Sequence, residues 1–231
     1  MKNFYKLLIV LVLLVLTSCT RQSMPQAVLV EPSGPLVVID PGHGGKDDGC
    51  SDAVEDVDEK ALTLKAASYL ECYLRRSGYR VYMTRSNDLF VSLEERAALA
   101  NDINADLFVS IHFNAAESTK AKGLEVFYYD DKEDAVRREE SKELAEDVLR
   151  HTINLTGRKS RGVKMANFRV IRKTRMPAIL IEGGFLTNPE EAALVQKEEY
   201  INALAYGIAC GIDEFIKTNR PRRESNARPV A

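Results

Sequence analysis

Short apolar runs alternate along this chain with longer segments whose apolar residues recur at helical spacing. The runs at 36–40, 80–84, 106–111, 124–129 and 178–182 read as strands, with 168–171 as a sixth. Between and after them, 57–77, 93–103, 134–151 and 189–217 carry the spacing of helices. In the first of these helices Leu62, Ala66, Leu70 and Leu74 fall on one face. Ser92 with Glu95 forms a capping-box pattern at the start of the second, and Pro189 after Asn188 suits the first turn of the last. Strands separated by helices imply an α/β fold. The expected form is an open, mainly parallel twisted sheet of about six strands with helices on both faces.

Three of the apolar runs end in reactive side chains. Leu36-Val37-Val38-Ile39-Asp40 stops at Pro41-Gly42 and hands over to His43-Gly44-Gly45. Leu107-Phe108-Val109-Ser110-Ile111 ends at His112, and Ala178-Ile179-Leu180-Ile181 ends at Glu182-Gly183-Gly184. An open parallel sheet gathers such ends into one crevice, where ligands bind. The glycines beside His43 are expected to let a ligand come close. Asn114 shares the face of His112 by strand alternation, which fits it to orient that imidazole or to bind substrate.

Two histidines with a carboxylate point to a metal, and a hydrolytic zinc takes three protein ligands and leaves one position for water. The acidic stretch after His43 offers Asp47, Asp48, Asp52, Glu55, Asp56, Asp58 and Glu59, and the residues alone do not choose among them. Glu59 has a structural alternative, because Asp56-Val57-Asp58-Glu59 is also a capping-box pattern. Glu182, ending a buried run, is costly unless paired, hydrated or near a metal. Burial would raise its pKa towards the range useful to a general base.

Composition adds limits. The 231 residues carry a formal net charge of −2, which excludes the strongly basic character of a nucleic-acid binder. Lys2 and Lys6 precede an unbroken apolar run from Leu7 to Leu16. That run is shorter than the roughly 20 residues of a membrane span and fits a signal-peptide core at 1–18. Leu16-Thr17-Ser18-Cys19 resembles the lipobox of bacterial lipoproteins, in which the cysteine is lipidated. Residues 19–34 then read as a lipid-anchored tether, 35–217 as one catalytic domain and 218–231 as a basic disordered tail. Thr20 after the cysteine favours the outer over the inner membrane in a Gram-negative envelope. Cys72 and Cys210 read as small packing residues, Cys50 lies in the loop after His43, and three thiols do not make a disulfide framework.

Several ordered motifs make a family resemblance specific. They are Val37 to Lys46, Glu59-Lys60, Met83-Thr84-Arg85, Val91 to Arg96, Ser110 to Asn114 and Met176 to Glu190. From about residue 36 to 215 the chain resembles the zinc-dependent N-acetylmuramoyl-L-alanine amidases of the Amidase_3 type. The resemblance implies one Zn2+ held by His43, Glu59 and His112, with Glu182 as catalytic glutamate. It leaves Asn114 and Arg85 as lesser substrate-binding or supporting residues.

The implied reaction is hydrolysis of the amide between muramic acid and L-alanine, for wall remodelling or daughter-cell separation. Peptidoglycan is the expected partner, with the membrane reached through the lipid at Cys19, no nucleic acid, and a monomeric chain. Residues 129–161 carry one helical pattern, with no room for the blocking helix of some division-associated relatives, so an open site is expected. A zinc peptidase acting on the stem peptide is the nearest rival, and a non-catalytic wall-binding protein a more distant one. A phosphate-binding loop fails because 42–49 lacks the required glycine spacing, and a serine nucleophile fails because no elbow motif surrounds Ser110.

Overall fold

The computed structural model describes residues 34–50 and 57–226. The leader, Cys19, most of the tether, residues 51–56 of the acidic loop and 227–231 of the tail lie outside the described residues. The chain forms β1 (Leu36–Pro41), α1 (Glu59–Arg76), β2 (Arg80–Met83), α2 (Leu93–Asp102), β3 (Leu107–Asn114) and β4 (Leu124–Tyr128). It continues with α3 (Ala135–Thr156), β5 (Ser160–Met165), α4 (Arg169–Lys173), β6 (Ala178–Phe185), α5 (Pro189–Val195) and α6 (Glu198–Asn226). The six strands make one sheet in the order β2-β1-β3-β6-β4-β5. Every neighbouring pair is parallel except β4–β6. The open α/β architecture with helices on both faces is the one the alternation implies.

Strand alternation divides the core between the two faces. Val37, Ile39, Leu107, Val109, Ile111, Ile179 and Ile181 enter the larger cluster with α1, α3 and α6. Val38, Phe108 and Leu180 enter a smaller one with Ala100 of α2 and with Val170 and Ile171 of α4. The site residues His112 and Glu182 share the second face by their period, and lie beyond its apolar filling at the strand ends. Ser92 caps α2 with its box complete: its hydroxyl accepts from Glu95 N, and Glu95 Oε2 accepts from Ser92 N.

Two expectations are corrected. Residues 168–171 are not a strand: Phe168 is the N-cap of α4, and Val170 and Ile171 are buried by one helical turn packed on the sheet. The sixth strand is β5 instead, an edge strand of sequence SRGVKM whose residues are half-buried or exposed. An edge half-exposed to water needs no apolar run, so periodicity does not reveal it. The helix expected over 189–217 is two helices, α5 and α6, broken at Gln196–Lys197, and α6 runs past Lys217 to Asn226. Residues 129–161 do hold a single helix, α3. Among the described residues no helix is long and apolar enough to cross a membrane.

Candidate metal centre and active site

β1 and β3 are parallel neighbours whose carboxyl ends lie together, and His43 and His112 come from those ends. Glu59 is brought to them by α1. Asp58 caps that helix by accepting from Ala61 N, so Glu59 is its first residue and the helix N-terminus favours its negative charge. The alternative reading of Glu59 as part of a capping box is therefore not realised. Instead its carboxylate turns into the site. Oε1 accepts from Phe113 N at 3.0 Å and Oε2 from Cys50 N at 2.8 Å.

The three donor atoms form a compact triangle. His43 Nε2 is 3.0 Å from Glu59 Oε1, His112 Nδ1 is 3.1 Å from His43 Nε2, and His112 Nδ1 is 3.4 Å from Glu59 Oε1. A tetrahedral ion bound at about 2.0–2.2 Å would set its ligand atoms about 3.3–3.6 Å apart. Two imidazoles and one carboxylate at these separations could hold a metal ion, and the chain brings no fourth protein ligand to them among the described residues.

Charge supports the grouping. Burial alone would raise the Glu59 pKa, but its bonds to His112 and His43 hold it well below the usual carboxylate range. Burial would lower the pKa of His43, and the carboxylates of Glu59 and Asp47 outweigh it and raise it.

The remaining acidic candidates of the loop separate by partner. Asp47 Oδ1 is 2.9 Å from His43 Nδ1, the nitrogen turned away from the triangle, where it fixes ring orientation and tautomer. Asp48 pairs with Lys60 at 2.6 Å, and Asp58 is the cap. Asp52, Glu55 and Asp56 lie outside the described residues.

The loop that carries His43 is strained and held. His43 has φ 62°, in the left-handed region that non-glycine residues seldom occupy. Two buried arginines clamp the carbonyls around it. Arg85 donates to Pro41 O, Gly42 O, Asn87 O, Lys60 O and Thr63 Oγ1. Arg96 donates to Pro41 O at 2.6 Å, His43 O at 2.7 Å and Val91 O at 2.9 Å, and pairs with Asp40 Oδ1 at 2.8 Å. Asp40 is completely buried and also accepts from Thr84 and Ser110 hydroxyls. Arg85 is thus a strut beneath the loop, not a group facing substrate. Asp40 and Arg96 stood inside motifs of the sequence but carried no assigned role there.

The glycines of this loop serve the protein's own packing. A Cβ on Gly42 would lie 2.2 Å from His112 Cε1, one on Gly44 2.3 Å from Leu89 O, and one on Gly45 2.6 Å from Phe90 N. Clearance for a ligand is not what requires them.

Glu182 is the register partner of His112 on β6. It is half-buried, and its Oε2 is sealed from solvent without a hydrogen-bond partner among the described residues. Burial, followed by the negative charges of Glu59 and Glu125, pushes its pKa well above the ordinary value. A carboxyl whose proton affinity is raised in this way suits general acid–base work. Asn114 does not bond His112. Its side-chain amide donates to Glu125 Oε1 at 2.5 Å.

Comparison with known proteins agrees with this geometry. The N-acetylmuramoyl-L-alanine amidase family matches residues 37–214. A probable cell wall amidase, LytH, of Staphylococcus epidermidis is 34% identical over 186 residues, which is 80% of this chain and 60% of that protein. The endolysin of Bacillus phage SPP1 is 38% identical over 186 residues, 80% of this chain and 67% of the endolysin. The chain thus spans about three fifths of the length of the staphylococcal relatives.

Among solved structures, an N-acetylmuramoyl-L-alanine amidase from Clostridium difficile 630 superposes with a TM-score of 0.75 at 38% identity, covering 80% of this chain and 98% of the other. The amidase AmiC2 of Nostoc punctiforme gives 0.73 at 37%, covering 79% and 97%. Strand-end residues that could hold a metal, a half-buried glutamate beside them and these matches agree: the chain belongs to the N-acetylmuramoyl-L-alanine amidase family.

Proposed function

We propose that this protein hydrolyses the amide bond between N-acetylmuramic acid and L-alanine in peptidoglycan, using one zinc ion held by His43, Glu59 and His112. The observation that carries the reading is the triangle of donor atoms beside Glu182, whose Oε2 is sealed from solvent with no hydrogen-bond partner among the described residues. Zinc on such a set supplies a Lewis acid for the carbonyl and lowers the pKa of water to about 7. Asp47 holds the His43 ring, and the backbone N–H groups of Phe113 and Cys50 aim the Glu59 carboxylate. Glu182 takes the proton of the attacking water as hydroxide adds to the lactyl carbonyl carbon. The C–N bond then breaks, and Glu182 passes the proton to the departing amine of L-alanine.

The signal sequence and Cys19 support attachment to an envelope membrane by lipid, and Thr20 supports the outer one. The single helix between β4 and β5 supports a site that needs no activating partner. Wall remodelling or daughter-cell separation is the corresponding role.

The decisive assay digests purified peptidoglycan with the full-length chain loaded with zinc, and reads the products by mass spectrometry. Free stem peptides and bare glycan are expected without any added protein. Shortened stems still attached to glycan would replace the amidase with the peptidase. Glu182→Gln should retain zinc and lose turnover, and full activity in that variant would remove Glu182 as the base.

A further inference from the structure

Beside Glu182, on the side away from the metal ligands, the crevice carries a second group of charges. Glu125 is the register partner of Glu182 across the antiparallel β4–β6 pair. Its Oε1 accepts from Asn114 Nδ2, and its Oε2 accepts from Arg161 Nε at 2.9 Å and from Lys164 Nζ. Glu125 itself is almost wholly buried, with 5% of its side chain exposed. Two cations on β5 therefore face one carboxylate, and one positive charge is left over.

That excess sits on an oriented side chain. Glu125 fixes the Nε edge of Arg161, and the Phe185 ring lies beneath the guanidinium, 4.7 Å from its carbon to the ring centroid. About a third of the Arg161 side chain, 32%, is open to solvent. Its Nη1 and Nη2 atoms bond none of the described residues, which leaves the fork of donors on this partly exposed side chain without a protein partner. Such a fork matches a carboxylate through two parallel hydrogen bonds, and its orientation is already set.

We propose that Arg161, steadied by Glu125 and Phe185 and backed by Lys164, is a carboxylate-binding subsite. It takes a free acid group of the stem peptide and so sets the scissile amide over Glu182. Identification of the peptide rests on the amidase reading above. The spacing fits. Phe185, under Arg161, pairs with Asn114 on β3, two residues beyond His112. One to two strand spacings across the sheet, about 5–10 Å, and two residues along it, about 7 Å, thus put the fork about 8–12 Å from His112. An extended peptide covers that span in about two to four residues. The acidic residue that follows L-alanine in a stem peptide lies at that reach.

The test uses the full-length zinc-loaded chain, with Arg161→Leu and Arg161→Lys compared to the parent. The substrates are N-acetylmuramyl-L-alanyl-D-glutamate and its diamide, in which both glutamate carboxyls are amidated. The parent should favour the acid over the diamide by about tenfold to a hundredfold in kcat/KM, expressed mainly in KM. Arg161→Leu should erase the preference. Arg161→Lys, which keeps a cation beside Glu125 but lacks the fork, should reduce it.

A structural role alone would slow both substrates together and leave their ratio as in the parent, and that result overturns the proposal. Cleavage of neither substrate by the parent would count against the amidase reading separately. The subsite is then read by calorimetry with alanyl-glutamate and its diamide. Acid-selective binding that Arg161→Leu removes supports the subsite, and equal binding of the two refutes it.

Discussion

Arg96→Leu is the sharpest probe of how the His43 loop is held. The guanidinium is 2% exposed, its partner Asp40 is 1% exposed, and it bonds three backbone carbonyls as well as that carboxylate. Removing it leaves a buried negative charge with only the Thr84 and Ser110 hydroxyls, and leaves the carbonyls of Val91 and His43 without this donor. Breaking a buried pair from one side costs about 3–5 kcal/mol, and the two surviving hydroxyls favour the lower end. For a domain of this size 1 kcal/mol shifts Tm by about 2–4 °C, so a fall of about 6–12 °C is expected. The loss also frees a loop whose histidine is held at φ 62°, so zinc affinity should fall about tenfold to a hundredfold.

Calorimetric melting of the metal-free protein and zinc competition against a chelator measure the two effects separately. Adding Asp40→Asn to Arg96→Leu should recover part of the lost stability, because it removes the stranded charge, but should not restore zinc affinity. A Tm within about 2 °C of the parent together with unchanged zinc affinity would refute the account of Arg96 as the clamp of this loop.

Three further outcomes are expected. Gly42→Ala places a methyl 2.2 Å from the His112 ring, so turnover should fall about a hundredfold or more while far-ultraviolet circular dichroism stays that of the parent. Asp47→Ala removes the carboxylate on His43 Nδ1 and should weaken zinc binding about tenfold to a hundredfold in the same chelator competition, with little change in Tm without metal. Burial would raise the pKa of Glu125, but Lys164 and Arg161 outweigh it and hold the folded value below the unfolded one. The stability this confers is present above the unfolded pKa of about 4.3 and is lost as pH falls through the folded value. Melting curves from pH 6 to 3 should show a shallower acid-side decline in Glu125→Gln than in the parent, and parallel curves would contradict the assignment.

What the sequence reveals of this protein depends on whether a signal is local. His43, His112 and Glu182 are legible because each follows an apolar run, and a strand ending in a reactive side chain is a one-dimensional pattern. Glu59 is not legible by itself. At least six other carboxylates share its loop, and its position at a helix start has an ordinary explanation; only the family motif singles it out, and only the fold shows its carboxylate meeting Phe113 N from β3. β5 escapes for a different reason. As an edge strand it lacks the apolar alternation that marks buried strands, and the buried pair Val170-Ile171 nearby imitates a strand while packing as one turn of α4. The break between α5 and α6 is marked by no proline or glycine at Gln196–Lys197, so helical spacing reads straight through it.

The supporting residues show why a local reading stops short of the mechanism. Arg85 follows β2 and Arg96 lies in α2, yet both end beneath the loop after β1, joined to it by carbonyls that any residue type would present. In β1 only Asp40 offers a side-chain partner, to Arg96, and nothing along the sequence links the two. Their effect is nonetheless chemical. A histidine in the left-handed region costs of order 1–3 kcal/mol and persists only where its surroundings over-determine it. Two buried guanidinium groups, one of them paired with a buried aspartate, provide that constraint without entering the metal group. The loop glycines act in the same way: Gly42 lets the His112 ring lie against the β1 turn, so the two imidazoles meet edge to face with centroids 4.8 Å apart. The spacing of the two histidine donors is therefore set by residues outside the proposed ligand set, and variants at Arg96 and Gly42 should disturb zinc binding as surely as variants of His43 or His112.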